Sequence, residues 1–465
     1  MKKTNLKYFE FEFIKALKNL ILIYLIIATN VAYSNIEDQI LAYYPLNADA
    51  IDASINGNDG VINGATAAED LRALADTALS FDGIDDEVTL PSIGDWGSNL
   101  SFSFWAYANS SGFGQPHILI GSRDTGNTAT LVNFYISLRE SGTMRWIIAS
   151  NGINSDIEST DLFPTDRWVH VVADWSLDSS SMNLFWDSRL IATGDIGQTP
   201  RYLQSDIGVG HFCNGCGSGS NYFDGRIDEL RIHSRILELA EISTLAGVTA
   251  NYPLDASAID ISGNQRNGTE YGVIATTGVY GEMNTAFDFD GVDDLIDIPA
   301  FGNWGQEMAI SMWFKSNSDS IGEGQVLMGS RNPGTGSTIS DFVLILNSNG
   351  AYAWKIYSGG TNSQVITADN TVSFDKWTHI AADWSRITGK MRLFLNGDLI
   401  GTSNTGANPR YLNNSVGIGN YNIDFDNSRA PFHGQLDQVM VFNRILTQQE
   451  ILGLADVIYK SNFDS

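Results

Sequence analysis

The chain has 465 residues, with 27 Lys and Arg against 54 Asp and Glu and a formal charge of −27. Such a surface repels phosphate backbones, which argues against nucleic acid and anionic membranes as partners. It is compatible with calcium, with neutral sugars, or with solubility alone.

The first 34 residues read as a secretory signal rather than as fold. Lys2, Lys3, Lys7, Lys15 and Lys18 precede an apolar run from Leu20 to Ala28, and Ala32-Tyr33-Ser34 supplies the small residues of a cleavage site. The run is shorter than the roughly 20 residues a helix needs to cross a bilayer. Glu10 and Glu12 depart from the usual basic region and leave an uncleaved anchor as the alternative. The mature chain is then exported and does not span a membrane. Without residues 1–34 it loses five Lys and two Glu, leaving 22 basic against 52 acidic residues and a formal charge of −30.

Beyond Ser34 the pattern is β almost throughout. Leu100 to Ala106 alternates in side-chain character and carries aromatics that suit strands. Trp168 to Ala173 and Met182 to Trp186 read the same way, as do Ala309 to Lys315, Trp377 to Ala382 and Lys390 to Leu395. Asn396-Gly397 after the last of these is a strong hairpin signal. Helices are expected only over Leu237 to Leu245 and Leu446 to Leu454, the second preceded by Thr447 with Glu450 three on, a capping box.

The chain says nearly everything twice. Tyr44-Pro45-Leu46, Phe81-Asp82-Gly83 and Gly121-Ser122-Arg123 recur 208 residues later as Tyr252-Pro253-Leu254, Phe289-Asp290-Gly291 and Gly329-Ser330-Arg331. One inserted residue later, Trp168, His170 and Pro200-Arg201-Tyr202-Leu203 map to Trp377, His379 and Pro409-Arg410-Tyr411-Leu412. That period is far longer than a solenoid unit and matches a whole β-sandwich. The expected organisation is all-β: a signal peptide over 1–34, then two tandem antiparallel β-sandwich (jelly-roll) domains at 36–246 and 247–456. Residues 457–465 form a tail, read as a frayed end or a sorting tag. Almost no linker separates the repeats, so they are expected to touch.

Several clusters could carry chemistry. Asp52, Asn56 and Asp59 in repeat one, and Asp260, Asn264 and Asn267 in repeat two, lie in short Asx- and Gly-rich loops. Such loops offer the oxygen ligands calcium wants, or else build turns through local hydrogen bonds. Phe81 to Asp86 and Phe289 to Asp294 read as a second ion site or as a glycine-bearing hairpin turn. Cys213 and Cys216 lie in a Gly/Ser/Asn-rich loop and are expected to form a local disulfide in an oxidising compartment. Arg123, Arg201, Tyr202, Arg331, Arg410 and Tyr411, in the repeated Gly-Ser-Arg and Pro-Arg-Tyr-Leu motifs, suit hydroxyl or carboxylate binding. The alternative for these arginines is pairing with Asp174 or Asp383. His170 and His379 read as hydrogen-bonded core residues.

Tyr-Pro-Leu, the Asp260 to Gly268 loop, Phe289-Asp290-Gly291-Val292-Asp293-Asp294, the Trp-x-His strand, the late Asp228/Asp437 and Arg-Ile-Leu together resemble one family. They are similar to the laminin-G-like jelly rolls of the concanavalin A-like lectin/glucanase superfamily, over both repeats nearly end to end. The resemblance implies that the terminal segments of each domain lie side by side. Asp228 would then share a calcium ion with the Asp52 loop, and Asp437 with the Asp260 loop. Laminarinase-type relatives carry catalytic carboxylates as E-x-D-x-x-E on one strand, and no such run occurs here. The expectation is an exported, non-catalytic, calcium-stabilised binding protein whose partner is a glycan. A protein-binding adhesion module is the alternative, and a degenerate glycoside hydrolase the weaker one.

Overall fold

A computed structural model describes residues 35–110, 114–124, 131–150, 153–195, 205–212, 221–318, 324–332, 339–357, 362–405, 413–422 and 430–456. The expected signal peptide, the tail, Cys213 and Cys216, and the Pro-Arg-Tyr-Leu residues Arg201, Tyr202, Arg410 and Tyr411 lie outside the described residues.

Alternation along the strands builds each repeat. In Asn99–Ala108, Leu100, Phe102, Phe104 and Ala106 join one buried cluster, while Ser101, Ser103 and Trp105 point to the opposite face. Trp168–Ser176 sends Val169, Val171, Ala173 and Trp175 into the same cluster. Each large apolar side chain buried this way contributes about 1.5–3 kcal/mol before conformational entropy is charged against it. An eight-stranded sheet orders Arg189–Asp195, Ser181–Trp186, Trp168–Ser176, Asn99–Ala108, Asp224–His233, Ala78–Asp82 and Thr66–Ala68, with Ile40–Tyr44 paired onto Asp224–His233. A seven-stranded sheet orders Ile153–Leu162, Thr143–Ser150, Leu131–Leu138, His117–Asp124, Ile207–Val209, Glu87–Leu90 and Val61–Asn63. Every pairing between these strands is antiparallel.

Repeat two rebuilds both sheets in the same order around its own core. A tryptophan hydrogen bond joins the two sheets at equivalent places in the two repeats. Trp146 Nε1 donates to the Asp174 carbonyl at 2.8 Å, and Trp354 Nε1 to the Asp383 carbonyl at 2.9 Å. The tyrosine of each Tyr-Pro-Leu is buried and donates its hydroxyl to a loop carbonyl, Tyr44 to Asn58 and Tyr252 to Arg266. The Asn396-Gly397 hairpin forms as expected, with φ of 47° and 89° at the two turn residues between Leu395 and Asp398.

Two helices close the repeats, α1 (Leu239–Leu245) and α2 (Gln448–Ala455). Both start two residues later than the leucine pattern suggested, and both begin with a reciprocal capping box. The Thr447/Glu450 box was visible in the sequence, whereas the Glu238/Glu241 box in repeat one was not, because a glutamate is an unusual N-cap. Helix α1 lays Ile242 on Val172, and α2 lays Ile451 on Ala309, Ala381 and Phe394, on the outer face of each eight-stranded sheet.

From Ile40 onward the described chain forms one compact unit, and the repeats touch as expected. Arg72 of repeat one bonds the buried Glu307 of repeat two at 3.1 Å. The Arg444 guanidinium of repeat two lies 4.9 Å from the Trp105 ring of repeat one. Gly263 packs so closely on α1 that a Cβ there would sit 2.7 Å from the Ala240 nitrogen.

Candidate functional site

The Asx loops come first, because the calcium expectation rested on them. Asp52 Oδ1 accepts from the Tyr43 and Ser54 amides and Oδ2 from the Asn58 amide, while Asp59 Oδ1 accepts from the Asp52 amide. Asp260 repeats this with Asn251, Ser262 and Arg266, and Asn267 Oδ1 accepts from the Asp260 amide. Asn56 and Asn264 turn their side-chain nitrogens onto carbonyls of the first strand of each repeat. These bonds hold the Asp52 carboxyl below its ordinary range despite its burial. The loops are Asx turns whose carboxylates are occupied by backbone.

The partners expected from the late strands are engaged elsewhere. Asp228 faces Trp105 just before a bulge at Glu229, where φ is 53°. Its carboxyl is pushed up to about 8 by burial, with the charges of Glu229 and Asp70 adding to the effect. Asp437 sits opposite Trp313 at the matching bulge, and its Oδ2 accepts from the Val279 amide at 2.8 Å. Asp52 with Asp228, and Asp260 with Asp437, were expected to share an ion, and each of these carboxylates has other neighbours. The early aspartates fold their own loops, and the late ones face loops 69–77 and 277–285.

Carboxylates do converge at the other acidic motif. Asp82, Asp85 and Asp86, and likewise Asp290, Asp293 and Asp294, each bring one oxygen within 4.8 Å of the others. Asp82 Oδ1 accepts from the Ile84 and Asp85 amides, and Asp86 Oδ2 accepts from the Asp82 amide. Burial, then the Asp82 charge, raises the Asp86 carboxyl, and burial likewise raises Asp294. The turn is not the expected hairpin. Ala78–Asp82 belongs to the eight-stranded sheet and Glu87–Leu90 to the seven-stranded one, so the turn crosses between sheets. By donor type and spacing, three carboxylates suit a hard cation such as calcium.

Histidine and serine meet in both cores. Ser103 Oγ lies 2.9 Å from His170 Nε2, and Ser311 Oγ 2.8 Å from His379 Nε2. Both imidazoles are buried, which pushes them down to about 3, and neither Nδ1 has a partner among the described residues. Without a group to orient the imidazole, and sealed from solvent, these pairs are structural.

The Gly-Ser-Arg motif builds a packed cluster on the outer side of each seven-stranded sheet, with Phe212 and Tyr421 buried and the two arginines partly exposed. Gly121 leaves the space in which the Phe212 ring lies, since a Cβ there would sit 2.9 Å from that ring. Ser122 Oγ donates to the Ser205 carbonyl, and the Arg123 guanidinium stacks 4.4 Å from the centroid of Phe212. Repeat two does the same with Gly329 under Tyr421, Ser330 on the Ser415 carbonyl and Arg331 at 3.7 Å over the Tyr421 ring. Pairing with Asp174 or Asp383 is not how the arginines are held. Asp174 accepts from Asn183, and Asp383 is bound by Arg392. Sequence reasoning missed Phe212 and Tyr421, although both follow a Gly-x-Gly strand at the 209-residue offset.

The family model described as Concanavalin A-like lectin/glucanases superfamily matches residues 82–243 and 290–452. The chain belongs to that superfamily. This family match covers two tandem copies, in agreement with the two sandwiches. Pentraxin-related protein PTX3 of Mus musculus is 28% identical over 103 residues, 20% of this chain and 26% of the mouse protein, so the chain spans about a quarter of that relative's length. Domain 4 of AbnA, a GH43 extracellular arabinanase from Geobacillus stearothermophilus, is similar at 19% identity and a TM-score of 0.35, covering 45% of this chain and 98% of that one. Domains LG4-5 of the mouse laminin alpha1 chain are similar at 12% identity and a TM-score of 0.27, covering 78% and 90%. For this superfamily member, no described helix is long and apolar enough to cross a membrane.

Proposed function

We propose that the protein is an exported, non-catalytic binding protein for carbohydrate, and that each repeat binds through the outer face of its seven-stranded sheet. The observation that carries this reading is the duplicated arginine-on-aromatic pair, Arg123 over Phe212 and Arg331 over Tyr421, seated on a glycine that exists to receive it. A partly exposed arginine packed against a ring has little side-chain entropy left to lose when its outer N–H groups meet the oxygens of a sugar. The non-catalytic part rests on the sequence, which carries no E-x-D-x-x-E run. Export rests on the signal-like first 34 residues.

Calcium enters this reading at Asp82, Asp85 and Asp86 and at Asp290, Asp293 and Asp294, rather than at the Asx loops. Bound there, it would neutralise three carboxylates at each crossing between sheets. A glycan array run with and without a chelator tests both parts. Binding of a defined class of glycan supports the carbohydrate reading, and failure of every glycan, with capture of a protein partner instead, moves the assignment to an adhesion module. A thermal midpoint that falls with chelator in the wild type but not in Asp86→Asn supports the ion, because a ligand of the native state alone stabilises it by mass action. An unchanged midpoint removes it.

A further inference from the structure

The two binding faces share one scaffold but not one chemistry. Across the sheet, repeat one aligns Gly121, Tyr135, Ile147 and Asp156 in one row, each paired with the next. The equivalent row of repeat two is Gly329, Val343, Lys355 and Gln364. The register is fixed by the tryptophan one residue before, Trp146 or Trp354, which makes the same cross-sheet bond in both repeats. A cation therefore stands where repeat one has a hydrocarbon, and the acid at the end of the row has become an amide. Two residues on, Tyr357 replaces Ala149.

We propose that the outer face of repeat two binds an acidic sugar, with Lys355 as counter-charge to its carboxylate or sulfate and Tyr357 as a hydroxyl donor. The inference rests on the carbohydrate reading above and names the ligand class of one of its two sites. Lys355 is partly buried, and among the described residues no carboxylate lies within ion-pair distance of it, on a chain with twice as many acids as bases. Burial lowers its ammonium, and the Arg331 charge lowers it further. Placing a half-buried cation beside a second cation costs free energy that an anionic ligand recovers. Burial pushes the Tyr421 hydroxyl to about 12 and raises Tyr357, so both phenols stay protonated near neutrality. In repeat one, Arg145 is neutralised by Asp156 at 2.6 Å, and Ile147 stands at the position of Lys355.

The test uses the full chain against matched pairs: sialylated and asialo oligosaccharides, oligogalacturonates and their methyl esters, and sulfated and desulfated glycosaminoglycan fragments. The acidic member of at least one pair should bind about tenfold more tightly, a preference of about 1.4 kcal/mol. Lys355→Gln should abolish that preference, Lys355→Arg should keep it, and Ile147→Gln should leave it untouched. Equal binding of acidic and neutral members, indifferent to Lys355→Gln, overturns the inference and leaves the carbohydrate reading standing. Retention by a polyglutamate peptide with no acidic sugar bound overturns it in favour of a peptide ligand. If no member of any pair binds, both the inference and the reading beneath it fall.

Discussion

The repeats agree where they are dry and differ where they are charged. The tryptophan bond between sheets, the buried tyrosine of the first strand, the Asx turn and the serine–histidine pair recur with the same partners. The aspartate that carries the tryptophan bond does not. Asp174 accepts from Asn183 and is pushed up to about 7 by burial, whereas the equivalent Asp383 is bound by Arg392 and reaches only about 6 despite its burial. Asp228 has the charges of Glu229 and Asp70 beside it, while Asp437 Oδ2 accepts from the Val279 amide. Trp105 receives Arg444 from the other repeat, while Trp313 donates to the Leu454 carbonyl of its own helix. Duplication has thus kept the packing, where a changed volume is penalised at once, and let charges move wherever a new partner was within reach.

The strongest test of that difference is the arginine of Arg-Ile-Leu. Arg444 holds both oxygens of Glu450, bonds the Ala246 carbonyl and lies against Trp105, whereas its counterpart Arg235 holds Glu241 in a more exposed pair. Removing one partner of a buried pair costs about 3–5 kcal/mol. Arg444→Met should therefore lower stability by that amount in urea unfolding, and Arg235→Met by clearly less. Equal losses would mean that the contact with Trp105 contributes nothing.

A smaller effect separates the two bulge aspartates. The Asp228 carboxyl is raised to about 8 in the folded chain, against about 3.9 when unfolded. Between those values the folded state holds a proton that the unfolded state has released, so this residue lowers stability progressively as pH rises from about 4 to about 8. Asp228→Asn should flatten that fall and raise stability at pH 8 by on the order of 2 kcal/mol. Asp437→Asn should give a smaller gain, because the Val279 amide already donates to one oxygen of that carboxylate. A pH-independent effect of Asp228→Asn would place the cost in shape rather than charge.

The smallest effect concerns the aromatic seats. A Cβ at Gly121 would lie 2.9 Å from Phe212, and one at Gly329 would lie 3.1 Å from Val343 and 3.2 Å from Tyr421. Gly121→Ala should cost about 1–2 kcal/mol and Gly329→Ala less than that, read as thermal midpoints. The reverse order would mean that Tyr421 is held more rigidly than Phe212.

Much of this was legible from the residues. The strand over Lys390 to Leu395, the hairpin after it and the Thr447 capping box are local, and local rules found them. The Phe-Asp-Gly turn was misread as a hairpin because alternation says that two strands exist, not that they belong to different sheets. The Asx loops offered the same oxygens to an ion as to backbone amides, and only the fold decides which arrives first. Asp228 looked like a ligand because nothing in the sequence reveals that the fold sets it beside Asp70. Lys355 was visible as a lone charge in the apolar run Tyr352 to Ile356, but its importance depends on Arg331, more than twenty residues away in sequence and on another strand.

The central claim is that ligand binds the outer faces of the seven-stranded sheets. Hydrogen exchange on the full chain, with and without the glycan selected by the array, tests it most directly. Slowed exchange is expected in strands His117–Asp124 and Leu131–Leu138 or in Gln325–Asn332, Ile339–Leu346 and Tyr352–Ile356, according to which repeat is occupied. Protection confined to the turns at Asp82–Asp86 and Asp290–Asp294, or to the eight-stranded sheets, would contradict it.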